Sequence, residues 1–264
     1  MKQFRIMNYN IRNQYGDTGI HAWDNRKAHL AAQIAARNPD IFCVQEAFPE
    51  QMDYLAENLP EYAYYGVGRD DGVREGEHSA IFYKTELFTF VSGRTYWLSE
   101  TPDIPSVGWD GEVNKRVCAK AILRCNDGSG EIAVGALHLD HVAPLAQVNG
   151  AALVREIFLP EVETRQCFIA GDYNVPPTSE AFAVMNRPPF YDARTEADES
   201  TDYDSYHGFR VEAPVIRFGP IDHVFYSKGA LRPLIAEVLA TKRGGQFPSD
   251  HFPLLCTFVA DDTL

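Results

Sequence analysis

Short apolar runs recur along the chain, and many of them end in a polar residue. Strand-like segments are read near residues 4–9, 41–46, 79–83, 116–124, 131–138, 166–171, 221–227 and 252–259. Segments of helical period lie between them. Asp24 to Arg37 predicts a helix, with Asp24 as N-cap, four alanines that favour helix, Leu30, Ala31 and Ile34 on its apolar face, and Asn38-Pro39 as its stop. Val142 to Phe158 predicts a second, with Leu145, Val148, Ala152, Leu153 and Ile157 on one stripe. Gln51 to Asn58 and Ser179 to Met185 predict shorter ones. Strands interspersed with helices, with several direct strand-to-strand steps, predict an α/β protein in which two sheets face each other with helices outside. No linker or repeat divides residues 1–264, which read as a single domain. The polar stretch from Glu196 to Asp204 reads as a mobile insertion within it.

The strand ends carry the candidate chemistry. Cys167-Phe168-Ile169-Ala170 is a buried run that leads through Gly171 into Asp172 and Asn174, and Pro176-Pro177 keeps a helix from starting there. Alternation puts Asp172 and Asn174 on one side of an extended segment. A carboxylate and a carboxamide at the end of a core strand are costly unless something uses them. The same pattern recurs at Met7 to Asn10, at Val44-Gln45-Glu46, at His138-Leu139-Asp140-His141, at Asp222-His223 and at Ser249-Asp250-His251. Each alone is an ordinary cap or turn. Six together read as one site at the edge of a β core.

In this order, Asn10, Gln45-Glu46, His138, Gly171-Asp172-Tyr173-Asn174, Asp222-His223 and Ser249-Asp250-His251 resemble the endonuclease/exonuclease/phosphatase superfamily, from Phe4 to about Val259. Thr95 to Pro102 and Tyr206-His207-Gly208-Phe209 resemble a bacterial branch near the nocturnin-type deadenylases. The resemblance implies a four-layer αββα sandwich of two mixed β-sheets, with the site where the sheets meet at one edge. It implies a metal-dependent hydrolase of phosphoesters, with Mg2+ or Mn2+ as cofactor.

A hard cation takes oxygen ligands and keeps several waters, so one or two carboxylates hold it. Glu46 is the first candidate ligand, with Asn10 and Asp250 as further oxygen donors. Asp172 is the candidate general base for the attacking water, and Asn174 would hold that water or a phosphate oxygen. His251 is the candidate phosphate-binding imidazole, and the superfamily pattern makes Asp222 the carboxylate that orients it. His138 is the candidate second phosphate donor, with Asp140 fixing it or its loop. His141 reads as a helix-start residue and His223 as a core residue. Arg116 reads either as a bidentate phosphate donor or as a surface strand arginine. His207 reads as a pocket-lining residue or not, with even weight, and Glu77-His78 as a possible edge of the cleft. Arg12 departs from the exonuclease III pattern, which has an acidic residue two positions beyond the metal-side Asn. That argues against an abasic-site endonuclease and for a site with one metal. Gly66-Val67-Gly68 with Asp70-Asp71-Gly72 lacks the strand-turn-helix setting of a dinucleotide fingerprint.

Charge narrows the substrate. The formal net charge is −13, so a basic footprint for long nucleic acid is missing. Hydrophobic content of 45% and aromatic content of 12% suffice for a large core. Cys43, Cys118, Cys125, Cys167 and Cys256 form no C-x-x-C pair and read as free buried thiols of a reducing compartment. Met1-Lys2-Gln3 leads directly into the first strand without a signal-peptide pattern, and no apolar run is long enough to span a membrane. The location predicted is cytoplasmic, and no protein partner is inferred. The activity predicted first is a 3′-exonuclease-like phosphodiesterase on RNA or short oligonucleotides. A small-molecule phosphatase and a phospholipid diesterase are the alternatives within the fold. A binding module that has lost catalysis is the alternative outside it, disfavoured because every candidate catalytic position is filled.

Overall fold

A computed structural model of the chain describes residues 3–201, 203–210 and 219–261. In chain order the elements are β1 (Gln3–Asn10), α1 (Trp23–Arg37), β2 (Ile41–Ala47), α2 (Pro49–Asn58), β3 (Tyr62–Tyr65), β4 (His78–Lys84), β5 (Phe88–Trp97), β6 (Val117–Cys125), β7 (Glu131–His138), α3 (Pro144–Val162), β8 (Gln166–Asp172), α4 (Glu180–Met185), β9 (Phe190–Asp192), α5 (Ala193–Glu196), β10 (Glu199–Ser200), β11 (Asp222–Ser227), β12 (Leu231–Val238) and β13 (Leu254–Ala260). They form two mixed sheets, ordered β10-β12-β13-β1-β2-β4-β3 and β5-β6-β7-β8-β11-β9. The parallel pairs are β1 with β2, β10 with β12, and β7 with β8.

Alternation along each strand sorts its side chains into three apolar layers. Phe4, Ile6, Ile41, Cys43, Val134, Ala136, Phe168, Ala170, Val224 and Cys256 belong to the layer between the sheets. The residues between them point outward. Met7, Tyr9, Phe42 and Val44 meet Leu30 and Ile34 of α1 and Met52 and Leu55 of α2. Ala133, Leu137, Cys167 and Ile169 meet Ala151, Val154 and Phe158 of α3. The result is the expected sandwich of helices, sheet, sheet and helices. Each fully buried Leu, Ile, Val or Phe of these layers contributes roughly 1.5–3 kcal/mol before the entropy of ordering is subtracted.

Several local expectations change. The first helix begins at Trp23 after Ala22, so Asp24 lies in the first turn, where its charge favours the helix dipole. The buried face of α3 carries Ala146, Gly150, Ala151, Val154 and Phe158, offset by one position from the predicted stripe. Leu145 is exposed, while Val148, Leu153 and Ile157 are half-buried at the flank. Strands β3, β5, β9, β10 and β12 were not anticipated. Within the stretch read as mobile, Glu199 and Ser200 pair with β12, and Arg232 holds Asp198 at 2.9 Å. Asp202 lies outside the described residues. All five cysteines are free and buried. Among the described residues no helix is long and apolar enough to cross a membrane.

Candidate active site

The inner faces of the two sheets turn polar at one end. On β1 the alternation that buries Phe4 and Ile6 between the sheets continues to Asn8 and Asn10. On β8 it continues from Phe168 and Ala170 to Asp172. Register then aligns neighbours. His138 of β7 pairs with Asp172, and Asp222 of β11 pairs with Asp172 from the other side. Three adjacent strands thus place His138, Asp172 and Asp222 in a row on one buried surface.

His251 closes the row. Its Nδ1 lies 2.8 Å from Asp222 Oδ2, and its Nε2 lies 3.7 Å from Asp172 Oδ2. Asn8 Nδ2 donates to the other Asp222 oxygen at 2.9 Å, and Gln45 Nε2 donates to Asn8 Oδ1 at 2.9 Å. Burial opposes a charged imidazole, but Asp222 and then Asp172 outweigh it and raise the His251 pKa to about 10. Asp172 is pushed well above the usual carboxylate range, first by burial and then by Asp222, with His251 pulling the other way. Its Oδ1 accepts the Asn174 backbone N–H at 2.9 Å. A buried carboxylate with a raised pKa beside a charged imidazole has the character of a base poised near neutrality.

Backbone strain aims the next group. The pairing of β2 with β4 shifts register between Val44 and Ala47, a bulge that contains Glu46 at φ 62°. A left-handed φ is costly for such a residue and recurs where function over-determines the backbone. Arg12 at φ 56° and Asn174 at φ 54° share it. Asn10 does not offer its oxygen to the site. Its Nδ2 donates to Glu46 Oε1 at 3.0 Å and to Asp172 Oδ2 at 2.9 Å, while its Oδ1 accepts the Arg12 backbone N–H at 3.0 Å. Asn10 therefore joins the two carboxylates, and the expectation of an oxygen donor is corrected.

Glu46 and Asp250 both face the Arg12 guanidinium, at 3.9 and 3.8 Å. Burial would raise Glu46, but the Asn10 hydrogen bond and the His251 charge leave it below the ordinary carboxylate range. Asp250 is raised, first by burial and in part by Glu46. Two carboxylates that line the cavity with Arg12 beside both offer the oxygen donors that suit a hard divalent cation. Asp172, Asp222 and His251 also bring ligand atoms within 4.8 Å of one another. That trio is a poorer cage, because a protonated imidazole has no lone pair to give.

His138 is fixed from behind. Arg116 Nη1 lies 3.2 Å from its Nδ1, and Arg116 Nη2 lies 3.1 Å from His141 Nδ1. Guanidinium only donates, so Nδ1 of His138 is the acceptor and Nε2 carries the proton. That Nε2 lies 3.5 Å from Asp172 Oδ2. Burial, then the Arg116 and Arg69 charges, hold the His138 pKa well below its ordinary value, so the ring is neutral. Asp140 accepts the N–H groups of Val142 and Ala143 and stands 3.7 Å from Arg116 Nε, which anchors the loop and the arginine together. The Asn174 amide donates to the Leu139 carbonyl at 3.0 Å.

Glu46, Arg116, His138, Asp172, Asn174, Asp250 and His251 line one cavity of about 410 Å³, together with Arg12, Arg69, Glu77, Asn114, His141 and Tyr206, while Asn8, Asn10, Asp140 and Asp222 are not among the lining residues. His207 does not line it either. Tyr206 bridges to His251 in the backbone, so alternation turns His207 the other way. Its ring stacks on Phe252 at 4.2 Å, its Nδ1 accepts the Phe209 N–H, and burial lowers its pKa to about 3. His223 is wholly buried, 3.8 Å from Asp192. His78 is buried with its Nδ1 on the Ala47 carbonyl. Sequence reasoning missed Arg69, Asn114 and Tyr206 as lining residues and took His141 for a helix start.

The chain matches the Endonuclease/Exonuclease/phosphatase family over residues 7–251. It belongs to that family. An endonuclease/exonuclease/phosphatase family protein from Bacteroides thetaiotaomicron is 34% identical, with 98% of each chain covered and a TM-score of 0.91. A mannosyl-6-phosphatase of the same organism is 33% identical, with 97% of this chain and 99% of its own covered and a TM-score of 0.89. Among curated proteins, the 3′-5′-exoribonuclease subunit Ccr4 of Mycosarcoma maydis is 24% identical over 97% of this chain. The chain spans 50% of the length of that relative. Membership of the endonuclease/exonuclease/phosphatase family makes the chain a phosphoester hydrolase.

Proposed function

We propose that the protein is a divalent-metal-dependent phosphatase of compact phosphorylated molecules. The observation that carries this reading is the cavity. About 410 Å³ is the size of a small-ligand site and holds base, imidazoles and carboxylate pair together. Single-stranded nucleic acid is gripped by aromatic platforms in a basic groove. Tyr206 is the one aromatic residue among the described lining residues, and the net charge is −13. Both favour a compact substrate over the oligonucleotide that the sequence put first. The likeness to a mannosyl-6-phosphatase points the same way.

In this reading Glu46 and Asp250 hold the cation, which Asn10 assists by fixing Glu46. Bound there, a hard cation supplies charge neutralisation and polarises a phosphoryl oxygen. Asp172 takes a proton from water, the water oxygen forms its bond to phosphorus as the bond to the alcohol oxygen breaks, and the leaving oxygen takes up a proton from solvent to leave as the alcohol. Asn174 holds the water or a phosphoryl oxygen. Charge that develops on the phosphoryl group meets the protonated His251 and the Nε2–H of His138. Asp222 keeps His251 charged and aimed, and Arg116 keeps His138 in one tautomer. Phosphate release from hexose phosphates, p-nitrophenyl phosphate, bis(p-nitrophenyl) phosphate and single-stranded oligoadenylate, with Mg2+ or with chelator, tests the proposal. Chelator-sensitive release from the monoesters is expected. Turnover confined to oligoadenylate would replace the phosphatase reading by the exonuclease one.

A further inference from the structure

Part of the cavity wall takes no direct part in the hydrolytic step. Arg69, Glu77 and Asn114 line it beside Arg116. Arg69 Nη1 donates to Glu77 Oε2 at 2.5 Å, and Arg69 Nη2 donates to Asn114 Oδ1 at 3.2 Å. The side chains of Arg69 and Glu77 are only 14% and 13% exposed. The loop that presents them is the glycine-rich stretch from Gly66 to Glu77, which lacks a phosphate-binding context in the sequence.

That loop is held closely. The Arg69 N–H donates to the Glu77 carbonyl at 3.1 Å, and that of Asp70 to the Glu75 carbonyl at 3.0 Å. Asp71 Oδ1 accepts the N–H groups of Val73, Arg74 and Glu75, each at 2.8 Å. Trp97 Nε1 donates to the Arg69 carbonyl at 2.8 Å. At Gly68 a Cβ would lie 2.3 Å from the Glu75 oxygen, so only glycine fits the fold-back. A wall this constrained presents its donors and acceptors in fixed positions.

The chemistry of the wall selects its ligand class. A carboxylate accepts only, a guanidinium donates only, and a carboxamide does both. A second phosphate would want donors alone and would be repelled by Glu77. A nucleobase is gripped best by an aromatic platform, and none of the three residues is aromatic. A hydroxyl pair donates and accepts at once and matches a carboxylate set against guanidinium and amide N–H groups.

We propose that Glu77, Arg69 and Asn114 form the leaving-group subsite and read the hydroxyls of a sugar or other polyol that carries the phosphate. The proposal rests on the phosphatase reading. It makes these residues determinants of specificity, with the bond cleavage left to the groups around Asp172.

The test is a substrate-by-variant cycle with Mg2+. It measures kcat/KM for a hexose phosphate, its monodeoxy analogues and p-nitrophenyl phosphate, in the wild type, Glu77→Gln and Asn114→Ala. In the wild type, hexose phosphate is the better substrate, and removing one read hydroxyl costs roughly 10-fold or more. In Glu77→Gln that cost shrinks to a few-fold, because the partner of the hydroxyl is already weakened. Asn114→Ala, which leaves the carboxylate in place, shrinks the cost for a hydroxyl in the same way and serves if Glu77→Gln does not fold. Hydroxyl deletions that cost the same in all three proteins would overturn the subsite. So would a wild type that cleaves p-nitrophenyl phosphate at least as well as every hexose phosphate, and in that case the phosphatase reading survives. No release from any monoester overturns the phosphatase reading and the subsite with it.

Discussion

Asp222→Asn isolates the electrostatic core of the proposal. The carboxylate is 1% exposed and bonds His251 Nδ1 at 2.8 Å and Asn8 Nδ2 at 2.9 Å. Asparagine keeps the shape but removes the charge, and it leaves one of the two donors facing an N–H. Two unit charges about 4 Å apart interact by about 4 kcal/mol at an effective dielectric of about 20, or roughly 3 pH units. Burial is the largest influence on His251 and opposes its charge, so the pKa of about 10 falls toward or below neutrality in the variant. Asp222 also raises Asp172, so the acid limb moves down as well. The assay is kcat and kcat/KM from about pH 5 to about pH 10, with the His251 ring titrated by NMR. Both limbs move to lower pH, the basic one by roughly 3 units. The sign on stability follows from the same pair. His251 binds its proton more tightly folded than unfolded, so its contribution is full below 6.5 and is lost as pH rises toward about 10. A basic limb that stays in place in Asp222→Asn would refute the pairing.

Other perturbations separate the remaining roles. Glu46→Gln weakens Mg2+ binding at least about 10-fold by calorimetry while the melting temperature without metal holds, and unchanged affinity would remove Glu46 from the ligand set. Arg116→Lys replaces a fork that spans His138 and His141 with a point charge. It cuts kcat roughly 10- to 100-fold, and full retention of kcat would show that the His138 tautomer does not need the arginine. His207→Ala empties a space between Phe247 and Phe252 and costs about 2–4 kcal/mol in denaturant unfolding, with Mg2+ affinity kept. Lost metal binding in a folded His207→Ala would return that residue to the site.

The row of His138, Asp172 and Asp222 was legible because each stands at one end of a buried apolar run. A period of two leaves one choice of face, and a polar residue on the buried face has to be used. The bulge at Glu46 was not legible, since only the pairing of β2 with β4 reveals the extra residue. His207 was left open for the same reason: the bridge from Tyr206 to His251 decides which neighbour faces the cavity. Asn10 lies between the two carboxylates, but which end of its amide faces them depends on Arg12. Arg69 and Asn114 sit in loops, where periodicity carries no signal. Strand β5 shows six consecutive exposed residues from Thr89 to Arg94, and β12 carries Pro233 beside a register shift, so neither follows the pattern that marks a strand.

Direct attack of water on phosphorus is the central claim, and isotope placement reads it most directly. A hexose phosphate is hydrolysed with Mg2+ in oxygen-18-labelled water, and both products are analysed by mass spectrometry. The account predicts one label in the released phosphate, none in the sugar, and loss of the labelled product in Asp172→Asn. Label in the sugar hydroxyl, or labelled phosphate formed at the wild-type rate by Asp172→Asn, would contradict it.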